Sequence, residues 1–373
     1  MPLSKYLRPS IVAPILCLIY AIYIALAAQH VYVWVTPSSK LAPEELEPYA
    51  YSDWGYDGFY VYLIARDPIE AVQYLDAAPY RFQRILLPAM ARLLSFGQRE
   101  ALPYVLLGIN LIFLGIGTYA LEYLLKHSGK GYSAWYAAGY AFSLGLFGSA
   151  RLAMTEPLAY GLALIGIVLA QRKNWGASAI IFALAALAKE TILFFPAAYV
   201  VHLLYQRKWK TAISFGLITL IPWAIWQVMI YGYFGVWGLG SGGSSDTGFS
   251  LIPFGAYFQM LQIGGIVSFL LLNILLFPFV IYPLLWSFWR CFVDFREKQW
   301  TIATQLLFFN ILILPFTPFS TFAEPIAIFR FIVGLQIALT WYTAQKGQVR
   351  ALRYSTLWLV TGILVIGSDL YTI

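Results

Sequence analysis

Charge is scarce in this chain, and so is cysteine. Asp, Glu, Lys and Arg make up only 11% of the 373 residues, against ~25% in an ordinary soluble domain. Apolar residues reach 61%, and the surface-to-volume ratio of a folded chain leaves too little interior to hide them all. A water-soluble globule is thereby excluded, and lipid must cover the remainder. The two cysteines, Cys17 within one apolar run and Cys291 at the end of another, have neither metal-ligand spacing nor the density of a disulfide framework. Nor is there a basic face. The net charge of +7 is spread over short loops between apolar runs, a pattern that sets membrane topology and argues against a nucleic-acid partner.

What the chain does have is a succession of apolar runs, rich in the aromatic rings (18% of residues) that settle at water–lipid boundaries. About 20 apolar residues cross a hydrocarbon core. By that measure the expected spans are 11–28, 101–125, 132–149, 153–170, 175–188, 191–206, 210–231, 262–289, 301–317, 326–344 and 354–370. The fold class is therefore all-α, a polytopic helical bundle of about eleven spans forming a single domain over 1–373. The first run follows Lys5 and Arg8 without a clear cleavage site and reads as a retained span. The stretch 82–97 carries Arg84 and Arg92, costly on a lipid-facing span, and reads as a helix lying in the interface.

With the amino terminus in the cytoplasm, 15 of the 24 basic residues fall on the cytoplasmic side, among them Lys126, Lys130, Arg172, Arg207, Arg290 and Lys346. That follows the positive-inside rule, and letting 82–97 cross would reverse it. Two long outer loops result. The first, 29–100, is acidic at its start and basic at its end; the second, 232–260, holds a Gly/Ser stretch at 240–248 that reads as a plain linker or a mobile lid.

The same sorting places Asp53, Asp57, Arg81, Arg84, Arg151, Glu156, Lys189, Glu190, Glu324 and Arg330 on the outer side, many of them at helix ends. Ionisable groups at membrane depth face a cavity and find partners. For any one of them a structural ion pair is an equal reading; for the set, a polar cavity with a task is the better one. In Asp53-Trp54-Gly55-Tyr56-Asp57-Gly58-Phe59-Tyr60, Asp57 either caps a helix or, amid rings including Tyr60 that can stack on a sugar, accepts a hydroxyl proton. Arg81 and Arg84 share one helical face and suit a phosphate or lipid headgroups. Lys189 and Glu190, adjacent in sequence, point apart, so at most one of them is expected to serve a given pocket. Glu324 precedes Pro325 at a helix start, and Arg330, below the surface, demands an anion, with phosphate the natural candidate.

The Tyr56-Asp57-Gly58-Phe59-Tyr60…Ile64-Ala65 stretch, followed by Tyr80-Arg81-Phe82-Gln83-Arg84…Pro88, resembles the GT-C superfamily of membrane glycosyltransferases. It is similar to the mannosyltransferase branch that builds GPI-type anchors and to bacterial proteins of cell-surface glycopolymer formation. The resemblance implies a polyprenyl-phosphate sugar donor, a glycan, lipid or protein acceptor, and inverting hexosyl transfer on the non-cytoplasmic face of a bacterial plasma membrane. It makes Asp57 the catalytic base. Arg330, Lys189, Arg81 and Arg84 would hold the donor phosphate, and Asp53, Tyr60, Glu156, Glu190 and Glu324 would orient sugar, acceptor or the basic groups. No cofactor is expected; a divalent metal is doubtful, because neither Asp53 nor Asp57 has an acidic neighbour. Rival readings are a flippase for lipid-linked sugars, a polysaccharide polymerase or ligase, and a non-catalytic subunit of a glycan-assembly complex.

Overall fold

The computed structural model describes residues 7–50, 52–53, 55–242 and 247–370. Lys5 and Trp54, and residues 243–246 of the Gly/Ser stretch, lie outside them. Helices account for most of what is described, and no strand occurs among the described residues. The chain opens with α1 (Pro9–Ala28) and continues through a long connection that carries α2 (Asp57–Arg66), α3 (Ala78–Phe82) and α4 (Leu86–Leu94). The bundle proper then runs through α5 (Leu102–Lys126), α6 (Ala138–Ala141), α7 (Ser149–Arg151), α8 (Glu156–Gln171), α9 (Trp175–Ala188) and α10 (Phe194–Tyr205). It goes on with α11 (Trp209–Phe234), α12 (Gly255–Leu276), α13 (Tyr282–Arg296) and α14 (Ile302–Ile311), and ends with α15 (Phe319–Ala323), α16 (Pro325–Phe331), α17 (Val333–Gln345), α18 (Val349–Ser355) and α19 (Ile363–Leu370).

Five helical segments among the described residues are long and apolar enough to cross a membrane: Pro9–Ala28, Arg99–Lys126, Trp209–Phe234, Gly255–Arg296 and Val349–Gly367. The pair α16 and α17, bent by 47°, makes a sixth if counted as one broken span. Length alone therefore does not carry a count of eleven. The expected spans 153–170, 175–188, 191–206 and 301–317 fall on shorter apolar helices, Glu156–Gln171, Trp175–Ala188, Glu190–Tyr205 and Ile302–Phe316. The expected span 132–149 is no continuous helix. Gly139, Ser143, Gly145 and Gly148 divide it into a 3₁₀ turn, α6, a π turn over Leu144–Gly148 and α7, as poor helix formers allow. The stretch 82–97 holds α4, a helix of 9 residues; at ~1.5 Å per residue it is too short to span.

Two kinds of helix separate by burial. Helix α8 packs against both α5 and α9, and its first eight residues, Glu156 to Ala163, are all buried; α17 is buried from Val333 to Ala344. A helix apolar all round belongs in the interior of such a bundle. Helices α1, α11 and α12 instead expose large side chains, among them Ile19, Leu217, Ile225, Val267 and Leu271. On a protein in water that surface would be a liability; in a bilayer it is the lipid contact.

Two glycines set the geometry that matters below. A Cβ on Gly58 would lie 1.9 Å from the carbonyl oxygen of Leu152, so only glycine lets the first turn of α2 rest on the connection leading into α8. A Cβ on Gly145 would lie 2.2 Å from the carbonyl oxygen of Phe329, so glycine lets α16 lie on the π turn. The first contact delivers Asp57, and the second Arg330, to the start of α8.

Candidate functional site

At the start of α8, Glu156 is fully buried, with Pro157 in the first turn. Its Oε1 accepts from Lys189 Nζ at 2.6 Å and from Arg330 Nε at 2.8 Å. Arg330 also reaches Asp57, its Nη2 standing 2.6 Å from Oδ2. On the other carboxylate oxygen, Asp57 Oδ1 accepts from Arg81 Nη1 at 2.8 Å. Arg81 in turn donates from Nε and Nη2 to the two oxygens of Asp76, both at 2.8 Å, and its guanidinium lies 4.3 Å from the centre of the Tyr60 ring. Asp76, Arg81, Asp57, Arg330, Glu156 and Lys189 thus form one continuous chain of ion pairs.

A second arm runs beside it. Arg84 makes a two-pronged contact with Glu190, at 3.1 Å from Nε and 2.8 Å from Nη2, and Nη2 also donates to the Tyr80 hydroxyl at 2.9 Å. Such a planar fork is the strong form of a charged hydrogen bond. Glu324, at the cap of α16, accepts a hydrogen bond from the Tyr56 hydroxyl.

Burial sorts the carboxylates by role. Glu156 is sealed at 0% exposure, whereas the Asp57 side chain keeps 27%. Burial disfavours ionisation of Asp57, but Arg330, Arg81 and Arg84 together outweigh it and hold the carboxyl well below the usual carboxylate range. Burial pushes the Tyr60 phenol up to about 12, with Asp76 adding to the shift and Arg81 opposing it, so Tyr60 remains a hydrogen-bond donor at neutral pH.

Two cavities meet at this network. The smaller, about 20 Å³, is lined by Asp57, Tyr60, Arg81, Thr155 and Arg330 among others, and is of the order of one water in size. The Thr155 hydroxyl and Glu156 Oε2 are buried without a hydrogen-bond partner, so polar capacity remains unused beside it. The larger, about 610 Å³, is walled by Phe194, Trp223, Phe249 and Phe331 and carries Arg84, Lys189 and Glu190. Tyr80 and Arg84 line both cavities and so form the partition between them.

Nine of the ten residues to which the resemblance gives a role fall in or beside this network: Asp57, Tyr60, Arg81, Arg84, Glu156, Lys189, Glu190, Glu324 and Arg330. Asp53 does not. Its side chain is 68% exposed and pairs with Lys40 at 2.9 Å, because the turn at Gly55 (φ +66°) separates it from α2. Arg151 is diverted too, pairing with Asp369 at 2.7 Å. The expectation that only one of Lys189 and Glu190 serves a given pocket is corrected. Both line the larger cavity, since Lys189 is extended (φ −159°, ψ 125°) and Glu190 opens a 3₁₀ turn. Within the chain Arg330 pairs with Asp57 and Glu156. Sequence reading gives no role to Asp76, Tyr56, Tyr80 or Thr155. Asp76 offers a signal, an acid five positions before Arg81 across a short turn; Tyr56 and Tyr80 stand in the two motifs quoted above, and Thr155 carries no charge to mark it.

Among the described residues, no three His, Cys, Asp or Glu side chains group as metal ligands would. Compared with family models, with curated proteins and with solved structures, the chain matches none.

Proposed function

We propose that the chain is a membrane glycosyltransferase of GT-C type, a single bundle of about eleven spans with its amino terminus in the cytoplasm. On this reading the first outer loop, with its short helices at the interface, builds the catalytic end on the non-cytoplasmic face of a bacterial plasma membrane. The observation that carries it is the setting of Asp57. Of the paired acids it is the one that lines the small cavity, and it keeps a quarter of its surface open beside Tyr60. A larger apolar chamber with cations on its wall adjoins it.

The chemistry follows from that setting. The acceptor hydroxyl gives its proton to Asp57 as its oxygen bonds to the anomeric carbon. The bond from that carbon to the phosphate oxygen breaks, the polyprenyl phosphate leaves with the electron pair, and the configuration inverts. Arg330, Lys189, Arg81 and Arg84 neutralise the leaving phosphate, so the reading assigns this work to side chains and calls for no cofactor. Glu156, Glu190 and Glu324 orient those cations. The apolar chamber suits the prenyl chain of the donor, and Arg84 on the partition suits its phosphate.

Asp57 clamped by two guanidiniums is a poor proton acceptor. A phosphate that draws Arg330 or Arg81 away would restore its basicity, so on this reading the donor activates the base. One observation favours a second reading, a non-catalytic subunit of a glycan-assembly complex: the four cations Arg81, Arg84, Lys189 and Arg330 are matched by Asp57, Asp76, Glu156 and Glu190. Reconstitution of the purified chain in liposomes with polyprenyl-phosphate hexoses and a hydroxyl acceptor separates these. Sugar transfer supports the enzyme; carrier movement across the bilayer without transfer supports a flippase; neither supports the subunit.

A further inference from the structure

A third cavity, of about 520 Å³, shares no lining residue with the network above and lies between α13, α17 and α18. Its floor is apolar, from Pro283 and Leu339, and its sides are aromatic, from Tyr282, Trp286 and Tyr354. Gln348 and Arg350 close its polar end. The aromatic residues are held in place: the Tyr354 hydroxyl donates to the Pro278 carbonyl at 2.7 Å, and the Tyr282 and Tyr354 rings stand 5.3 Å apart. On the same helix as Tyr282, Leu285, Trp289 and Phe292 are exposed by about half, which turns this face toward lipid tails.

The polar end has an excess of positive charge. Asp294 is buried and takes Lys346 at 3.0 Å, the Tyr342 hydroxyl at 3.1 Å and Arg290 at 3.8 Å. One carboxylate thus serves two cations. With the Gln348 amide turned so that its oxygen faces Arg290, it accepts from Nη2 at 2.8 Å and Nε at 3.0 Å, which fixes Arg290 just behind the cavity. Arg350 and Arg353 stand exposed one turn apart on α18, and no carboxylate pairs with either among the described residues. An apolar, aromatic-sided cavity ending in surplus arginine matches one chemistry, an acyl chain attached to an anionic headgroup.

We infer that this groove is a binding site for an acidic phospholipid of the surrounding bilayer, its headgroup phosphate on Arg350 and one acyl chain along Tyr282, Trp286 and Leu339. The site is independent of any glycosyl transfer, since none of its residues belongs to the network around Asp57.

The test is native mass spectrometry of the full chain released from detergent containing equal amounts of phosphatidylglycerol and phosphatidylcholine. One phosphatidylglycerol should be retained preferentially. Arg350→Gln should lower that retention about fivefold, the loss of one basic residue's attraction to an acidic lipid. Lys298→Glu, at an exposed position outside the groove, should leave retention unchanged, and a thermal melt should show both variants folded. Equal retention of the two lipids overturns the proposal, as does an equal loss in both variants, which would mean diffuse charge. Displacement of the retained phosphatidylglycerol by inorganic phosphate, but not by chloride at matched ionic strength, would likewise overturn it by making the site one for free anions.

Discussion

Asp57, at the head of a helix in the long first connection, and Arg330, near the end of the chain, meet at 2.6 Å. Each is also bound to a third group, Asp57 to Arg81 and Arg330 to Glu156. The contact therefore ties the first loop to the bundle, and the same side chains that would do chemistry also hold the structure together. Tests of function must separate the two effects.

Asp57→Asn makes that separation. The amide keeps the shape of the carboxylate and one acceptor for a guanidinium, but it cannot take a proton. Transfer from a polyprenyl-phosphate sugar should fall by about 10²–10⁴-fold, the usual contribution of a general base, while the variant still purifies as a monodisperse protein in detergent. An Asn variant with full turnover would remove Asp57 from the chemistry.

How far this site could be read from the sequence depends on the kind of contact. Asp57, Arg81, Glu156, Lys189 and Arg330 were legible because charge is conspicuous in an apolar chain, and because sorting the loops by basic residues put them on one side. The pairing was not legible. Nothing in the sequence says that Arg330 turns to Asp57 and Glu156, or that Arg151 turns away to Asp369; such choices are made by long-range packing at Gly58 and Gly145. Asp53 shows the converse. Four residues from Asp57 it looks like a partner, yet a positive-φ turn at Gly55 sends it to the surface. The helical class is plain from the apolar runs, whereas the breaks within 132–149 are not, because hydropathy does not register how π and 3₁₀ turns divide a segment.

Glu156→Gln tests the structural side. With the carboxylate gone, Lys189 and Arg330 face each other in a buried site with no countercharge between them. Breaking a buried pair by removing one partner costs about 3–5 kcal/mol, and a markedly lower melting temperature should follow. A double change, Glu156→Leu with Lys189→Met, removes both charges and should recover part of the loss. If the single and double variants melt alike, the ion pairs are not what stabilises the start of α8.

The clamp on Asp57 also fixes the sign of a pH effect. Its folded-state carboxyl lies below the ordinary value of 3.8 because Arg330, Arg81 and Arg84 outweigh the cost of burial. A depressed carboxyl contributes stability that is fully present above the unfolded value and is lost as pH falls through the folded one. Asp57 should therefore cost no stability between neutral pH and about 4. Arg81→Gln removes one guanidinium and raises the folded value, so the loss on acidification, which still begins near the ordinary carboxylate range, should become smaller in size and be complete at a higher pH. Melting temperatures of the two proteins from pH 7 downward make the check: parallel curves would mean that Arg81 does not set the state of Asp57.

Gly58→Ala asks whether the approach of α2 to the bundle matters. The added methyl would lie 1.9 Å from the Leu152 carbonyl oxygen, and a backbone atom cannot move aside as a side-chain tip can. Either α2 lifts or the connection into α8 shifts. Overpacking of this kind costs about 1–3 kcal/mol, occasionally more. Because Asp57 immediately precedes Gly58, a displacement of even one ångström would open its contacts with Arg81 and Arg330. Activity should accordingly fall much further than stability, whereas Gly216→Ala, where an added Cβ meets only a methyl of Val200 at 3.4 Å, should change neither. If Gly58→Ala lowered the melting temperature and left transfer intact, the placement of Asp57 by this contact would have no bearing on the reaction.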